Sequence, residues 1–297
     1  MKGLREGDSI ALIAPSSPFD TDRFNRACEL LEARGYRLSI GKSVLERKSY
    51  LAGTETQRAE DLIEAVLDPD VSAIVCIRGG YGSGRLLPWL PFSRLKNHAK
   101  ILLGHSDVTF LHAAFHRCMG WTTFHGPNLN GFLDQEGRDR SEAILDALNG
   151  RSPFRWEIDE SSVLRHGSAT GPVLGGNLTC LVHLLGTPYF PDLTGAILVV
   201  EDCNEALYRL DRMFTHLKLA GVLDQLGGLV LGQFTGCGDT EKILEMVADR
   251  VRTSRFPVVA DLPFGHGADN QVIPFGTPFR LNTHEHTLEP VRHPFKA

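Results

Sequence analysis

Lys100-Ile101-Leu102-Leu103-Gly104-His105-Ser106-Asp107-Val108 reads as an apolar strand that breaks at a glycine and enters a helix within a few residues. A short run with no polar alternation suits a strand buried on both faces, the kind that builds a parallel sheet. Residues 100–103 are therefore a predicted strand and 108–118 a predicted helix. The same rhythm recurs upstream: residues 9–14 are a buried strand, 21–34 an amphipathic helix stopped by Gly35, and 37–40 a short second strand. Thr54 followed by Gln57 has capping-box spacing and starts a helix to about residue 67, and residues 71–77 form the third strand. Strands alternating with helices in this way predict an α/β fold with a parallel sheet.

Beyond the helix expected at 139–148, which ends at Gly150, the character of the chain changes. Residues 151–170 read as short polar strand-like pieces. The expected division is thus an N-terminal α/β domain over 1–150, a linker over 151–164 and a C-terminal domain over 165–297. In that second part Gly171-Pro172-Val173-Leu174-Gly175-Gly176-Asn177 leads into a helix at 178–185, and 196–200, 228–234 and 258–262 are strands separated by helices at 205–219 and 240–251.

The 297 residues are 42% hydrophobic and 23% charged, with a net charge of -5, which offers no broad basic surface for nucleic acid or an anionic membrane. No apolar run approaches the ~20 residues that span a bilayer, and the N-terminus lacks the apolar stretch of a signal peptide, so a cytoplasmic location is expected. The six cysteines are scattered without a C-x-x-C pair and are expected to be reduced, mostly core, residues. His112 and His116 have helical spacing, but Ala113 stands where a zinc peptidase places glutamate, so no metal is expected. His284 and His286 alternate as surface neighbours on a strand would.

Three residues then stand out: Ser106 after the fourth strand, Glu201 in Val199-Val200-Glu201-Asp202, and His266 in Pro263-Phe264-Gly265-His266-Gly267. Each lies where an apolar run gives way to a turn, so one sheet edge can gather them. A serine hydroxyl needs an imidazole to accept its proton, and the imidazole needs a carboxylate to fix its tautomer. Helix capping is the plain alternative for Ser106, Asp107, Glu201 and Asp202. Arg78-Gly79-Gly80-Tyr81-Gly82-Ser83-Gly84-Arg85 follows the third strand at its carboxyl end, yet fits neither G-x-G-x-x-G nor a P-loop. Bare amides there suit an oxyanion hole better than a phosphate cradle.

Taken together and in order, Arg78-Gly79-Gly80-Tyr81-Gly82, Gly104-His105-Ser106-Asp107-Val108-Thr109, the Gly171–Leu178 stretch, Val200-Glu201-Asp202 and Gly265-His266-Gly267 resemble the L,D-carboxypeptidase family of serine peptidases. The resemblance implies a flavodoxin- or Rossmann-like N-terminal domain carrying the serine and a smaller C-terminal domain of swivelling β/α character carrying the glutamate and histidine. It implies Ser106 as nucleophile, His266 as general base and acid, and Glu201 as the orienting carboxylate. The amides of Asp107 and of Gly79 or Gly80 would bind the oxyanion. Arg78 and Tyr81 are the candidate substrate contacts, the planar fork of Arg78 suiting a substrate carboxylate as well as it suits an ordinary surface ion pair. The implied reaction releases the terminal D-alanine from a murein tetrapeptide during cell-wall recycling, without a cofactor and often as a homodimer. Relatives that hydrolyse aminoacyl or peptidyl adenylates and give immunity to microcin C are the alternative. Those carry an aromatic-bearing loop, whereas the segment after Glu201 here has Tyr208 and no tryptophan. A non-catalytic cleft-binding protein is the third reading.

Overall fold

The computed structural model describes residues 1–134, 137 and 139–295. Its first half alternates β1 (Ser9–Ile13), α1 (Thr21–Ala33), β2 (Arg37–Ile40), α2 (Glu55–Leu67), β3 (Val71–Cys76), α3 (Phe92–Leu95), β4 (Ile101–Gly104), α4 (Thr109–Met119) and β5 (Thr123–His125), followed by α5 (Ser141–Asn149). Its five strands are parallel and lie in the order β5-β4-β3-β1-β2. The chain reverses its direction of travel across the sheet between β1 and β3. Their carboxyl ends flank the crevice where open α/β sheets bind ligands.

The capping box expected at Thr54 forms, with Gln57 N donating to Thr54 Oγ1 at 3.2 Å and Thr54 N to Gln57 Oε1 at 2.9 Å. β4 is buried at all four positions, and β3 at all but Ser72. Such two-sided burial explains why both read as continuous apolar runs.

The second half contains β6 (Trp156–Glu157), β7 (Val163–Arg165), β8 (Ser168–Asn177), α6 (Leu178–Val182), β9 (Ile197–Cys203), α7 (Leu207–Leu219), β10 (Gly228–Thr235), α8 (Thr240–Arg250), β11 (Val258–Val259), β12 (Ile273–Phe275), β13 (Pro278–Asn282) and β14 (Thr287–Pro290). Eight of these strands make a second sheet, ordered β6-β14-β13-β8-β9-β10-β11-β7, in which β8 to β11 run parallel and the outer strands antiparallel. β12 leaves it and pairs antiparallel with β5 of the first sheet. The fold is thus a two-domain α/β structure. One buried apolar cluster joins the sheets, with Leu12, Val75, Leu103 and Phe124 on one side and Val173, Val199, Val230 and Phe279 on the other.

Three local readings differ from expectation. His284 and His286 lie in the turn between β13 and β14 rather than on a strand, because Asn282 Oδ1 accepts from the His284 amide at 3.1 Å and starts a turn. Both stay exposed. All six cysteines are free, but only Cys76 and Cys237 are buried, the other four being partly exposed. Finally, residues 151–164 hold β6 and the start of β7, both hydrogen-bonded into the second sheet.

Candidate active site

The turn after β4 differs from an ordinary helix start. Ser106 has φ 64°, a left-handed conformation that a residue with a Cβ adopts only under strain of order 1–3 kcal/mol. A single 3-10 turn, Ser106–Val108, then feeds α4. This is the geometry of a nucleophile elbow, which throws the hydroxyl out above the sheet. A serine that merely capped the helix would keep extended backbone and accept a hydrogen bond from an amide two or three residues on; Ser106 does neither among the described residues.

Asp107 takes another task. Its buried carboxylate accepts from Ser16 Oγ at 2.5 Å and from Ser83 N at 2.7 Å, so it ties the elbow to the ends of β1 and of the glycine-rich loop. Arg58, 1% exposed, adds a second tie by donating to the Gly82 carbonyl at 2.9 Å and to that of Pro15. Neither Ser16 nor Arg58 stands out in the sequence, because a buried arginine on a helix face looks like a solvated one until its partners are known.

Gly79 packs against the elbow. A Cβ built on it would lie 2.9 Å from Ser106 Cβ and 3.2 Å from its Oγ, so only glycine admits this approach. Gly79 is buried and Gly80 exposed, and neither amide donates to a protein acceptor among the described residues. Asp107 contributes the second amide of the 3-10 turn, where N–H groups lack intrahelical partners. Of the two glycines, Gly79 approaches the serine, while Gly80 packs against Ser17. Arg78 is exposed and donates from Nη1 to the Pro18 carbonyl at 2.5 Å, while Tyr81, also exposed, packs on Tyr50 with ring centroids 5.7 Å apart.

On the other side, β9 carries adjacent carboxylates whose side chains point to opposite faces. Asp202 caps α6 through Thr179 N and Oγ1 at 2.9 and 2.8 Å and binds Asn177 Nδ2 at 2.9 Å. Glu201, with no exposure at all, faces His266, and His266 Nδ1 donates to its Oε2 at 2.6 Å. Gly265 makes room: its φ is 113°, and a Cβ there would fall 2.6 Å from Glu201 Oε2. Burial pushes the Glu201 pKa up, although the bond to His266 opposes the rise. Burial also works against charging His266, but the nearby Cys203 and Glu201 outweigh it and raise that imidazole to about 10. The site is thus built to welcome a proton on His266.

No hydrogen bond joins Ser106 to His266 among the described residues, yet their surroundings meet. The ring of His105, next to the serine, lies 4.9 Å from that of His266. Hydrogen bonds between catalytic groups are often long or misaligned before substrate binds. An open cavity of about 1220 Å³ adjoins the pair, lined by His105 and His266 together with Arg23, Arg140, Trp156 and Gln271. Trp156 is nearly buried, packs edge-on to Phe264 at 5.0 Å and donates from Nε1 to Gln271 Oε1 at 2.7 Å. It braces the wall. Both ring nitrogens of His112 are engaged, with Thr123 Oγ1 and the Gly104 carbonyl at 2.8 Å each.

The sequence and the fold are both shared with known proteins. Residues 10–126 match the LD-carboxypeptidase N-terminal domain and residues 170–281 its C-terminal domain. The chain is 33% identical over 294 residues to a probable murein peptide carboxypeptidase of Bacillus subtilis, covering 96% of this chain and 92% of the relative. A crystal structure of muramoyltetrapeptide carboxypeptidase from Oxalobacter formigenes superposes with a TM-score of 0.82 at 32% identity, covering 94% and 97% of the two chains. The microcin C7 self-immunity protein MccF, in complex with aspartyl sulfamoyl adenosine, superposes with a TM-score of 0.88 at 25% identity over 99% of both. The strained serine, its glycine neighbour and the glutamate–histidine pair thus stand on a framework held in common with these proteins, and the chain belongs to the LD-carboxypeptidase family.

Proposed function

We propose that this protein is a serine-type L,D-carboxypeptidase that releases the terminal D-alanine of a murein tetrapeptide. The observation that carries the proposal is the buried Glu201–His266 pair at 2.6 Å beside a serine held at φ 64°. Ser106 attacks the carbonyl and passes its proton to His266, whose imidazolium is stabilised by Glu201. The amides of Asp107 and of Gly79 or Gly80 receive the oxyanion. His266 then protonates the leaving D-amino acid, and water clears the acyl-enzyme by the same route. Arg78 and Tyr81, at the exposed end of the glycine-rich loop, contact the peptide.

The same reading assigns the serine to a domain over 1–150 and the other two residues to one over 165–297, so activity depends on how the domains dock. It also places the protein in the cytoplasm, as a homodimer serving cell-wall recycling; no helix among the described residues is long and apolar enough to cross a membrane.

Hydrolysis of an aminoacyl adenylate is the second reading, supported by the superposition on MccF. The aromatic after Glu201, Tyr208, is exposed, but its ring has the guanidinium of Arg212 at 5.5 Å and that of Arg209 at 6.0 Å from its centroid. Tyr208 thus already has cationic partners on its own helix, and no tryptophan follows Glu201, which favours the peptide. The test is direct. Purified protein is incubated with murein tetrapeptide and, separately, with an aminoacyl-sulfamoyl adenosine; D-alanine release supports the first reading, nucleoside release the second. Binding of tetrapeptide without turnover would leave the cleft-binding protein.

A further inference from the structure

We propose that His105 is a positioning residue for His266: its ring, clamped from the end of β5, braces the catalytic imidazole so that Glu201 and Ser106 stay on its two working sides. This rests on the hydrolase reading above and extends it to a residue that the triad does not use.

The clamp has several parts. The His105 amide donates to Asn128 Oδ1 at 3.2 Å. Its ring packs edge-on to that of His125 on β5, with centroids 6.2 Å apart, and the Gly126 amide donates to the Gly104 carbonyl at 3.2 Å. The end of β5 and the segment just after it therefore hold both ring and backbone of His105. From there the ring meets His266 at 62° with centroids 4.9 Å apart, in the edge-to-face arrangement that aromatic rings prefer. His105 Nδ1 is buried and has no partner among the described residues, so the position gains nothing from that nitrogen. What the site draws from this residue is a flat ring in a fixed place.

The groups around His266 make a role in charge tuning less apt. Glu201 and Cys203 face it from β9 and His105 faces it from the turn after β4, while His125 on β5 lies 6.2 Å behind His105 and His112 on α4 lies 6.1 Å beyond His125. Burial first, and the charge of His266 second, push His105 down to about 3, so it is neutral wherever the enzyme works. Replacing it changes the shape of the wall without removing a charge.

The experiment measures phosphonylation of Ser106 by a fluorophosphonate probe across pH in the full chain, alongside tetrapeptide turnover. His105→Leu, which fills the volume without a flat ring, should lower the labelling rate and kcat by between about 10- and 100-fold, in line with the cost of a misplaced catalytic group. KM and the pH midpoint should stay where they are. His105→Phe, which keeps the ring, should recover most of the rate. Should the leucine variant not fold, His105→Asn takes its place. Labelling of the leucine variant at the wild-type rate, or an equal loss in both variants, would overturn the inference while leaving the hydrolase reading intact. A wild type that the probe does not label would remove the hydrolase reading itself, and this one with it.

Discussion

The two sides of the site are built by opposite means. Around Ser106 the backbone does the work: a left-handed serine, a glycine pressed against it, and amides with no protein acceptor. Around His266 side chains do it: a fully buried carboxylate, a thiol and an imidazole arranged to favour a proton. Backbone devices fail through sterics, and side-chain devices fail through charge. The contrast teaches that the two halves should respond differently to small substitutions.

The sharpest way to break the comparison is at its centre. Ser106→Ala should reduce tetrapeptide hydrolysis by ~10⁴-fold or more while calorimetry still detects peptide binding, since removing a nucleophile leaves only binding and oxyanion stabilisation. On the side-chain half, Glu201→Gln should lower kcat by about 10³- to 10⁴-fold, as loss of an orienting carboxylate does elsewhere. It should also move the acid limb of the pH profile downward. The sign follows from the pair: Cys203 and the hydrogen-bonded Glu201 hold His266 up against burial, so removing the carboxylate charge lets its pKa fall. An acid limb that stays in place would show that Glu201 does not set the protonation of His266.

On the backbone half, Gly79→Ala should cost about 10²- to 10³-fold in kcat, the size of losing an oxyanion donor, with little shift in the pH profile. A normal rate would mean that the loop yields to the methyl group. Asp202→Asn provides a control one residue from Glu201. It should lower stability by about 1–3 kcal/mol in urea unfolding, because it weakens the cap of α6, while activity per folded molecule changes little.

The smallest effect is on stability against pH. Burial, the first cause in each case, lowers His105 to about 3, His112 to about 4 and His125 well below 6.5. All three are neutral in the fold and bind protons on unfolding below about pH 6.5, so their contribution is complete above that value and is lost as pH falls toward 4. Thermal melts should show Tm dropping through that window, and His112→Gln should flatten the slope.

Much of this was legible in order along the chain. The apolar runs at β3 and β4 announced a buried parallel sheet, and Thr54 with Gln57 announced a helix start, because both signals are local and repeat at fixed spacing. The motifs around Ser106, Glu201 and His266 were legible as candidates for the same reason. The choice between Glu201 and Asp202, in contrast, depends on which face of β9 meets His266. His284 and His286 misled because alternation looks the same in a turn as on a strand. The segment after β5 was visible, but its service to His105 was not.

The amino-acid sequence by itself determined the alternation of elements, the family, and which residues were chemically able to serve. Only the tertiary structure decided that Ser106 is left-handed, that Gly79 touches it, that Asp107 and Arg58 tie the loops together, and that His105 stands against His266. The physical reason is range. Propensity and periodicity act over a few residues, whereas burial of a carboxylate and contact between rings 161 positions apart, from His105 to His266, exist only once both sheets have packed around their common core.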